Sequence, residues 1–463
     1  MFNEKALNEL RGGFSGNLVL PADAGYDEAR KVFNAMIDKR PMVIARCAST
    51  RDVVAAVDFG RDHGLEVSVR GGGHSVAGLS IGEGILIDLS GLKRIAVDTD
   101  ARIARAGGGM LWGELDRATQ AYGLHTPGGR VTTTGVGGFT TGGGYGWTSS
   151  KYGLACDNLL SAEVVTANGR VVSASASENT DLFWGIRGGG GNFGVVTRFD
   201  FRLHPLGPTV LAGLAMWPME RAPDVLRAWR DLADAAPDEL STASVVLIAP
   251  PEPFVPDALK GQPVLGIAAI YVGDPQAGLP LVKPIKALGP AVDLIQPMPY
   301  TDFQAMLDPT APPGKRSYWR GEYMAKVSDE AIEAFLNLAP AAATAGFPLT
   351  QTIVFRIGQG VSAVPDDASA FSHRDARYLF HPIMVWDSAT DDTRLIAIGR
   401  ELAETMRQFV TGGAYLNFTP ESDRVRDAYG VAKYERLMAL KSKYDPQNLF
   451  RGNQNIRPSD APR

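Results

Sequence analysis

Apolar positions recur along the chain at two periods, and the alternation between them lays out the elements. Leu18 and Val19 sit in a strand-like run over 17–20. Across 23–37, Tyr26, Ala29, Val32, Phe33, Met36 and Ile37 fall at helical spacing, which predicts one amphipathic helix. A strand over 42–45 follows. Ser49 or Thr50 then caps a helix with Val53, Val54 and Val57 inward, ending at Gly64. With the strand over 66–69 this makes a small β-α-β unit. The run over 85–89 alternates as a strand, and Leu111, Leu115, Ala118 and Tyr122 mark another helix. Two strand-like runs flank Asn168-Gly169, a pair that favours a type I′ hairpin turn. After Pro205-Leu206-Gly207-Pro208 the pattern changes. Strands over 243–248 and 265–271 alternate with helices such as 392–409, where Leu395, Leu402, Met406 and Phe409 share a face. The second part therefore reads as α+β, a sheet with helices on one side.

Length and charge narrow the class. A chain of 463 residues exceeds one ordinary core, so two or three domains are expected. Against 51 acidic residues stand 46 basic ones, a net charge of −5, which points to neither a nucleic-acid nor an acidic-membrane partner. The first ten residues hold no apolar signal core and no run is long enough to span a bilayer, so a cytoplasmic protein, monomer or homodimer, is expected. Cys47 and Cys156 are expected as free thiols, and the histidines show no metal-ligand spacing, so no metal is predicted.

The glycines carry the candidate chemistry. There are 52, clustered rather than periodic, as in loops that hold a cofactor. The first cluster is Arg70-Gly71-Gly72-Gly73-His74-Ser75, followed by Val76 and Gly78. Glycine at this density lets backbone N–H groups close on phosphates. No helix opens after it, as a Rossmann loop would require. A Cβ added at Gly72 should therefore exclude the cofactor, whereas one at Gly113, inside a predicted helix, should be tolerated. Further clusters contain Gly128, then Gly135, Val136 and Gly138, then Gly142, Gly143 and Gly144, suggesting backbone lying along a ligand. On residue type alone, His74 could instead be a hydrogen-bonding loop residue. Asp157-Asn158 and the segment with Asn192, Gly194 and Val195 could likewise be plain turns.

Read together, Arg70 to Ser75, Gly142-Gly143-Gly144-Tyr145-Gly146, Lys151-Tyr152-Gly153-Leu154-Ala155-Cys156-Asp157-Asn158, the run from Arg187 to Thr197 and Tyr444-Asp445-Pro446-Gln447-Asn448-Leu449-Phe450 resemble the berberine-bridge-enzyme-like flavoproteins of the vanillyl-alcohol-oxidase group. The resemblance runs from Gly16 to Ile456 and rests on the order and spacing of the motifs. It implies a PCMH-type FAD-binding domain of two subdomains (1–207), an α+β substrate domain with an antiparallel sheet (208–411), and a C-terminal segment (412–463) returning to the first domain. FAD would be covalently bound through His74. Many relatives carry a second flavin bond from a cysteine, where this chain has Val131, so a single bond is expected, with Cys156 a small packed residue. The resemblance places FAD contacts on Arg70, Gly71, Gly72, Gly73, Ser75, Gly78, Gly128, Gly135, Val136, Gly138, Gly142, Gly143, Gly144, Asp157, Asn158, Asn192, Gly194, Val195, Asn453 and Asn455.

Ala414-Tyr415-Leu416-Asn417-Phe418 resembles a Tyr-x-Asn motif whose tyrosine is the usual catalytic base. Read as a strand, it puts Tyr415 and Asn417 on one face. A phenol needs a nearby cation or hydrogen bonds to act as a base at neutral pH, and Lys315, Arg316 and Arg320 are the candidate cations. The tyrosine that plant relatives place two positions after the histidine is Val76 here. The implied activity is an FAD-dependent oxidase that moves a hydride from an alcohol- or amine-bearing small molecule to the flavin, with O2 as acceptor. A flavin-dependent oxygenase or rearrangement enzyme, or a non-catalytic flavin-binding protein, are the alternatives.

Overall fold

The computed structural model describes residues 4–420 and 424–459. Its first layer is a four-stranded sheet in the spatial order Asn17–Val19, Val43–Arg46, Ile85–Asp88, Val67–Arg70. The last three strands run parallel, and the first is antiparallel to its neighbour. Parallel strands need a crossover, supplied by the helix Thr50–Asp62. Ser49 caps that helix, with Asp52 completing the capping box. Val53, Ala56 and Val57 are buried against Val43, Val67 and Ile85.

A second sheet, wholly antiparallel, has five strands in the order Ile95–Asp98, Ile103–Gly107, Val195–Arg202, Leu159–Val165, Val171–Ser175. The last two join at Asn168-Gly169, where Gly169 alone has positive φ (+77°). The expected type I′ turn, which needs positive φ at both central residues, does not form. Instead the Gly169 N–H closes onto the Thr166 carbonyl and the Thr166 hydroxyl meets the Asn168 side chain, holding Asn168 out of the left-handed region.

The second half of the chain forms an antiparallel sheet of ten strands. Helices Ala222–Ala235, Pro275–Ala287, Asp329–Ala345 and Asp392–Met406 bury Leu226, Trp229, Ile285, Phe335 and Leu402 with Trp217, Leu265 and Phe380 of the sheet. All four lie on one face, as the sequence pattern implied. The opposite face, with Ile353, Phe355, Ile383 and Val385, packs with Tyr145, Trp147, Leu154 and Tyr415. The chain then returns to the first half. Helix Val431–Tyr444 buries Leu437 and Leu440 with Leu182 and Phe193, and Leu449 and Phe450 join the core around the first sheet.

Two element predictions change. The helix over 23–37 shrinks to Tyr26–Ala29. The rest unwinds because its side chains have partners elsewhere: Phe33 stacks on the His74 ring at 3.8 Å, and Asn34 donates to the carbonyls of Val76 and Ser317. The expected strand over 414–418 is also displaced. The strand is Val410–Ala414, paired with Glu322–Met324 at the end of the large sheet and spanning position 412, and Leu416–Phe418 is a 3-10 turn.

Candidate active site

Between the glycine loops of the first half and the helix-free face of the large sheet lies a cavity of about 300 Å³. Gly71, Gly72, Gly73, His74 and Ser75 form part of one wall, with Gly135, Gly138, Gly142, Gly194, Val195 and Asn453 around them. The facing wall carries Trp319, Gln351, Phe355, His381 and Ile383, and the C-terminal segment adds Asn417 and Phe418. Gly138 and Gly191 have nothing within 4 Å of the position a Cβ would take. Both line the cavity, so no protein packing requires them to be glycine; the space beside them is room for a ligand.

Gly72 is glycine for another reason. Its Cβ would meet the Cα of Gly135 at 2.5 Å, so the two loops cross backbone to backbone. This packing is a second reason for glycine at this position, beside the expected phosphate contact. The expectation for Gly113 is corrected: it lies in helix Trp112–Gln120, but a Cβ there would meet the Thr132 Cβ at 2.7 Å.

His74 is the clearest orphan in the wall. Its Nε2 is buried with no hydrogen-bond partner, and burial pushes the imidazole down to about 4, so the ring is neutral at neutral pH. Phe33 stacks on one side and Trp319 lies 6.0 Å away. Val131 lines the cavity, whereas Cys156 is buried elsewhere, with its thiol pushed well up by burial.

Several residues expected at the cofactor do not line the cavity. Asp157 is held by Arg374 through two hydrogen bonds of 2.9 and 2.6 Å. Asn158 donates to the Tyr152 and Leu154 carbonyls and meets His204. Arg70 pairs with Asp88 at 2.8 Å. Asn192 ties Gly189 to the C-terminal residues Gln454 and Ile456. Gly78, Gly128, Val136, Gly143, Gly144 and Asn455 also stand behind the wall. These residues shape the site rather than face it: a Cβ on Gly128 would strike the Trp112 ring at 2.5 Å, and one on Gly144 would strike Ala155 at 2.6 Å.

Tyr415 and Asn417 come together, through the 3-10 turn rather than a strand. The Tyr415 oxygen receives three N–H donors: Gly144 at 3.2 Å, Tyr145 at 3.0 Å and Asn417 Nδ2 at 3.0 Å. Asn417 Nδ2 also donates to the Phe139 carbonyl at 3.1 Å, which fixes the orientation of the amide. Such a donor set favours a phenolate, but burial prevails and pushes the hydroxyl up to about 12. The ring is 1% exposed and does not line the cavity, whereas Asn417 and Phe418, which touch it, do.

The cations expected beside this tyrosine are committed elsewhere. Lys315 pairs with Asp387, Arg316 with Asp392 and Arg320 with Glu322. The cation that acts on Tyr415 is Arg130, which no sequence motif singles out. Its guanidinium lies 3.7 Å from the Phe355 ring centroid and 4.5 Å from that of Tyr145. His381, by sequence one of several histidines without metal spacing, also belongs to the site. Its ring lines the cavity, stacks on Phe418 at 3.9 Å and places Nδ1 2.5 Å from the Arg320 carbonyl. That carbonyl fixes the proton on Nδ1 and leaves the lone pair on Nε2.

Comparison with known proteins agrees with this architecture. The chain matches the FAD binding domain family over residues 41–175 and the berberine and berberine-like family over residues 414–457. It is 32% identical to (R)-6-hydroxynicotine oxidase of Paenarthrobacter nicotinovorans, over 96% of this chain and 97% of that one. It is 31% identical to an FAD-linked oxidoreductase of Dictyostelium discoideum, over 98% and 97%. The crystal structure of 6-hydroxy-D-nicotine oxidase from Arthrobacter nicotinovorans superposes with a TM-score of 0.84 at 28% identity, covering 96% of this chain and 98% of that one. The protein belongs to the berberine-bridge-like FAD-linked oxidoreductases. It is an FAD-linked oxidoreductase of PCMH-type fold.

Proposed function

We propose that the protein is an oxidase whose FAD is joined covalently to His74 alone and whose substrate is a small molecule bearing an alcohol or amine. The observation that carries this reading is the neutral, half-buried His74 imidazole, whose buried Nε2 has no protein partner beside a cavity walled by glycine. A neutral imidazole is the nucleophile such a bond needs, and no cysteine stands at Val131 to make a second. The bare glycines at 138 and 191 leave room for a flat, extended cofactor. Once bound, FAD supplies the electron-accepting chemistry and O2 the final acceptor.

The chain's own residues then divide the work. Trp319, Phe355, Phe418 and Ile383 exclude water from the substrate side of the cavity. His381 accepts the substrate proton at Nε2, since its Nδ1 is already committed to the Arg320 carbonyl. Tyr415 is assigned a positioning role: its oxygen gathers the Gly144 and Tyr145 amides and the Asn417 side chain, which brings Asn417 to the cavity wall. The test is peroxide production across a panel of alcohols, sugars and amines, paired with anaerobic flavin bleaching. A compound that bleaches the flavin and yields stoichiometric peroxide supports the oxidase. Bleaching with oxygen-18 from O2 in the product would make it an oxygenase, and no bleaching by any compound would leave a binding protein.

A further inference from the structure

Among the described residues, the arginines with an exposure below a tenth have their charge met by a carboxylate or their donors met by backbone carbonyls, with one exception. Arg70 has Asp88 and Arg374 has Asp157, while Arg356 donates to the carbonyls of Ala236 and Leu240. Arg130 is 8% exposed and its Nε is buried without a partner. The Tyr145 oxygen accepts from the guanidinium while the Tyr145 hydroxyl donates to the Arg356 carbonyl, and no carboxylate among the described residues acts on Arg130. Phe355, Tyr145 and Trp147 surround the guanidinium, with ring centroids at 3.7, 4.5 and 5.1 Å. Such contacts hold a cation in place yet satisfy none of its N–H donors. Burial lowers Arg130 to about 10, which still leaves it charged at neutral pH.

Arg130 lines the cavity together with Phe355, His381, Trp319 and Gln351. A fixed, planar set of donors inside an aromatic chamber matches a planar anion better than a sugar hydroxyl. We propose that Arg130 is the specificity residue of this cavity and that the substrate is an aromatic molecule carrying a carboxylate, which the guanidinium anchors. The inference rests on the reading of the cavity as a cofactor-and-substrate site. It also accounts for the neighbouring imidazole. Burial and Arg130 together hold His381 down to about 3. An anion seated on Arg130 offsets its positive charge, so substrate binding strengthens His381 as a proton acceptor.

The test is equilibrium binding to the flavin-loaded enzyme without turnover, so it stands whether or not peroxide is made. Benzoate, phenylacetate and indole-3-acetate are titrated against their neutral amides, followed by visible flavin absorbance and calorimetry. In the wild type at least one acid should bind about tenfold or more tighter than its amide, the scale of one charge-assisted pair. Arg130→Gln should abolish that preference and Arg130→Lys should keep part of it, with flavin content and midpoint potential unchanged. The proposal is overturned if no acid is preferred over its amide in the wild type, or if the preference survives in Arg130→Gln. A shifted flavin potential in Arg130→Gln with the preference intact would place the guanidinium on the cofactor and equally overturn it. Should Arg130→Gln fail to fold, the wild-type comparison and Arg130→Lys still decide.

Discussion

The Asn417 side-chain amide donates to the Tyr415 phenol oxygen at 3.0 Å, and Gly142 leaves the space in which it does so: a Cβ on Gly142 would lie 2.0 Å from Asn417 Oδ1. The pair is a joint between the C-terminal segment and the glycine turn of the first half. Removing the hydroxyl in Tyr415→Phe strands the buried Gly144 and Tyr145 amides, while Asn417 keeps its bond to the Phe139 carbonyl, and should cost roughly 1–3 kcal/mol of stability, read as a lower midpoint in urea. Gly142→Ala should displace Asn417 and lower stability in the same direction.

The assignment of the proton acceptor separates by kinetics. His381→Asn should slow anaerobic flavin reduction toward the low end of the roughly 10²–10⁴-fold that a positioned base contributes, because a ring held down to about 3 is a weaker acceptor than one near neutrality. Tyr415→Phe should slow it less than about tenfold, and reoxidation by O2 should change little in either. The pH profile separates the two candidates independently. With His381 held down to about 3, the wild-type reduction rate with an alcohol substrate, which does not itself titrate in this range, should be flat from about pH 6 to about pH 9. If the Tyr415 phenolate were the base, its position near 12 would make the rate climb about tenfold per pH unit over that range. A rising profile together with a large loss in Tyr415→Phe would return the role to Tyr415.

Two glycine substitutions distinguish loop packing from ligand space. Gly138→Leu adds a side chain where nothing lies within 4 Å, in the helix Val136–Thr141, so the fold should stand while flavin content falls. Gly72→Ala drives a Cβ to 2.5 Å from the Gly135 Cα, so thermal stability and flavin content should fall together. Equal flavin content in Gly138→Leu and wild type would mean that the cofactor lies elsewhere.

Acid should weaken the fold in a defined window. Burial lowers His204 to about 4 and His381 to about 3 from an ordinary 6.5. The unfolded chain therefore binds more protons than the native one below about pH 6.5, so stability is highest above that pH and is lost as pH falls toward about 4. The slope of unfolding free energy against pH near pH 5 should drop by about one proton each in His204→Asn and His381→Asn. Unchanged slopes would mean that both rings titrate normally in the folded protein.

What the sequence disclosed, and what it hid, follows from the range of the interactions. The β-α-β unit, the helices on one face of the large sheet and the glycine loop with His74 are written in local periodicity and in contiguous motifs. The helix over 23–37 stops short of its pattern because Phe33 and Asn34 answer to His74 and Ser317, residues distant in sequence. Asp157 resembles a cofactor contact within its motif, yet its partner is Arg374, more than two hundred positions on. Arg130 and His381 escape a sequence reading for the same reason. An arginine following Gly128-Gly129 and a histidine inside an apolar strand carry no local mark; only the fold brings them to one cavity. An arginine beside a glycine cluster, with no acidic residue near it in sequence, was the available signal for the first.

The most direct measurement is acid precipitation of the purified protein followed by mass spectrometry of the peptide containing His74. With a single bond at His74, the pellet is yellow and the peptide is heavier by one flavin at His74, in wild type and in Cys156→Ala alike, and the pellet from His74→Ala is colourless. A colourless wild-type pellet with all the FAD free in the supernatant, or flavin on any other residue, would contradict this attachment.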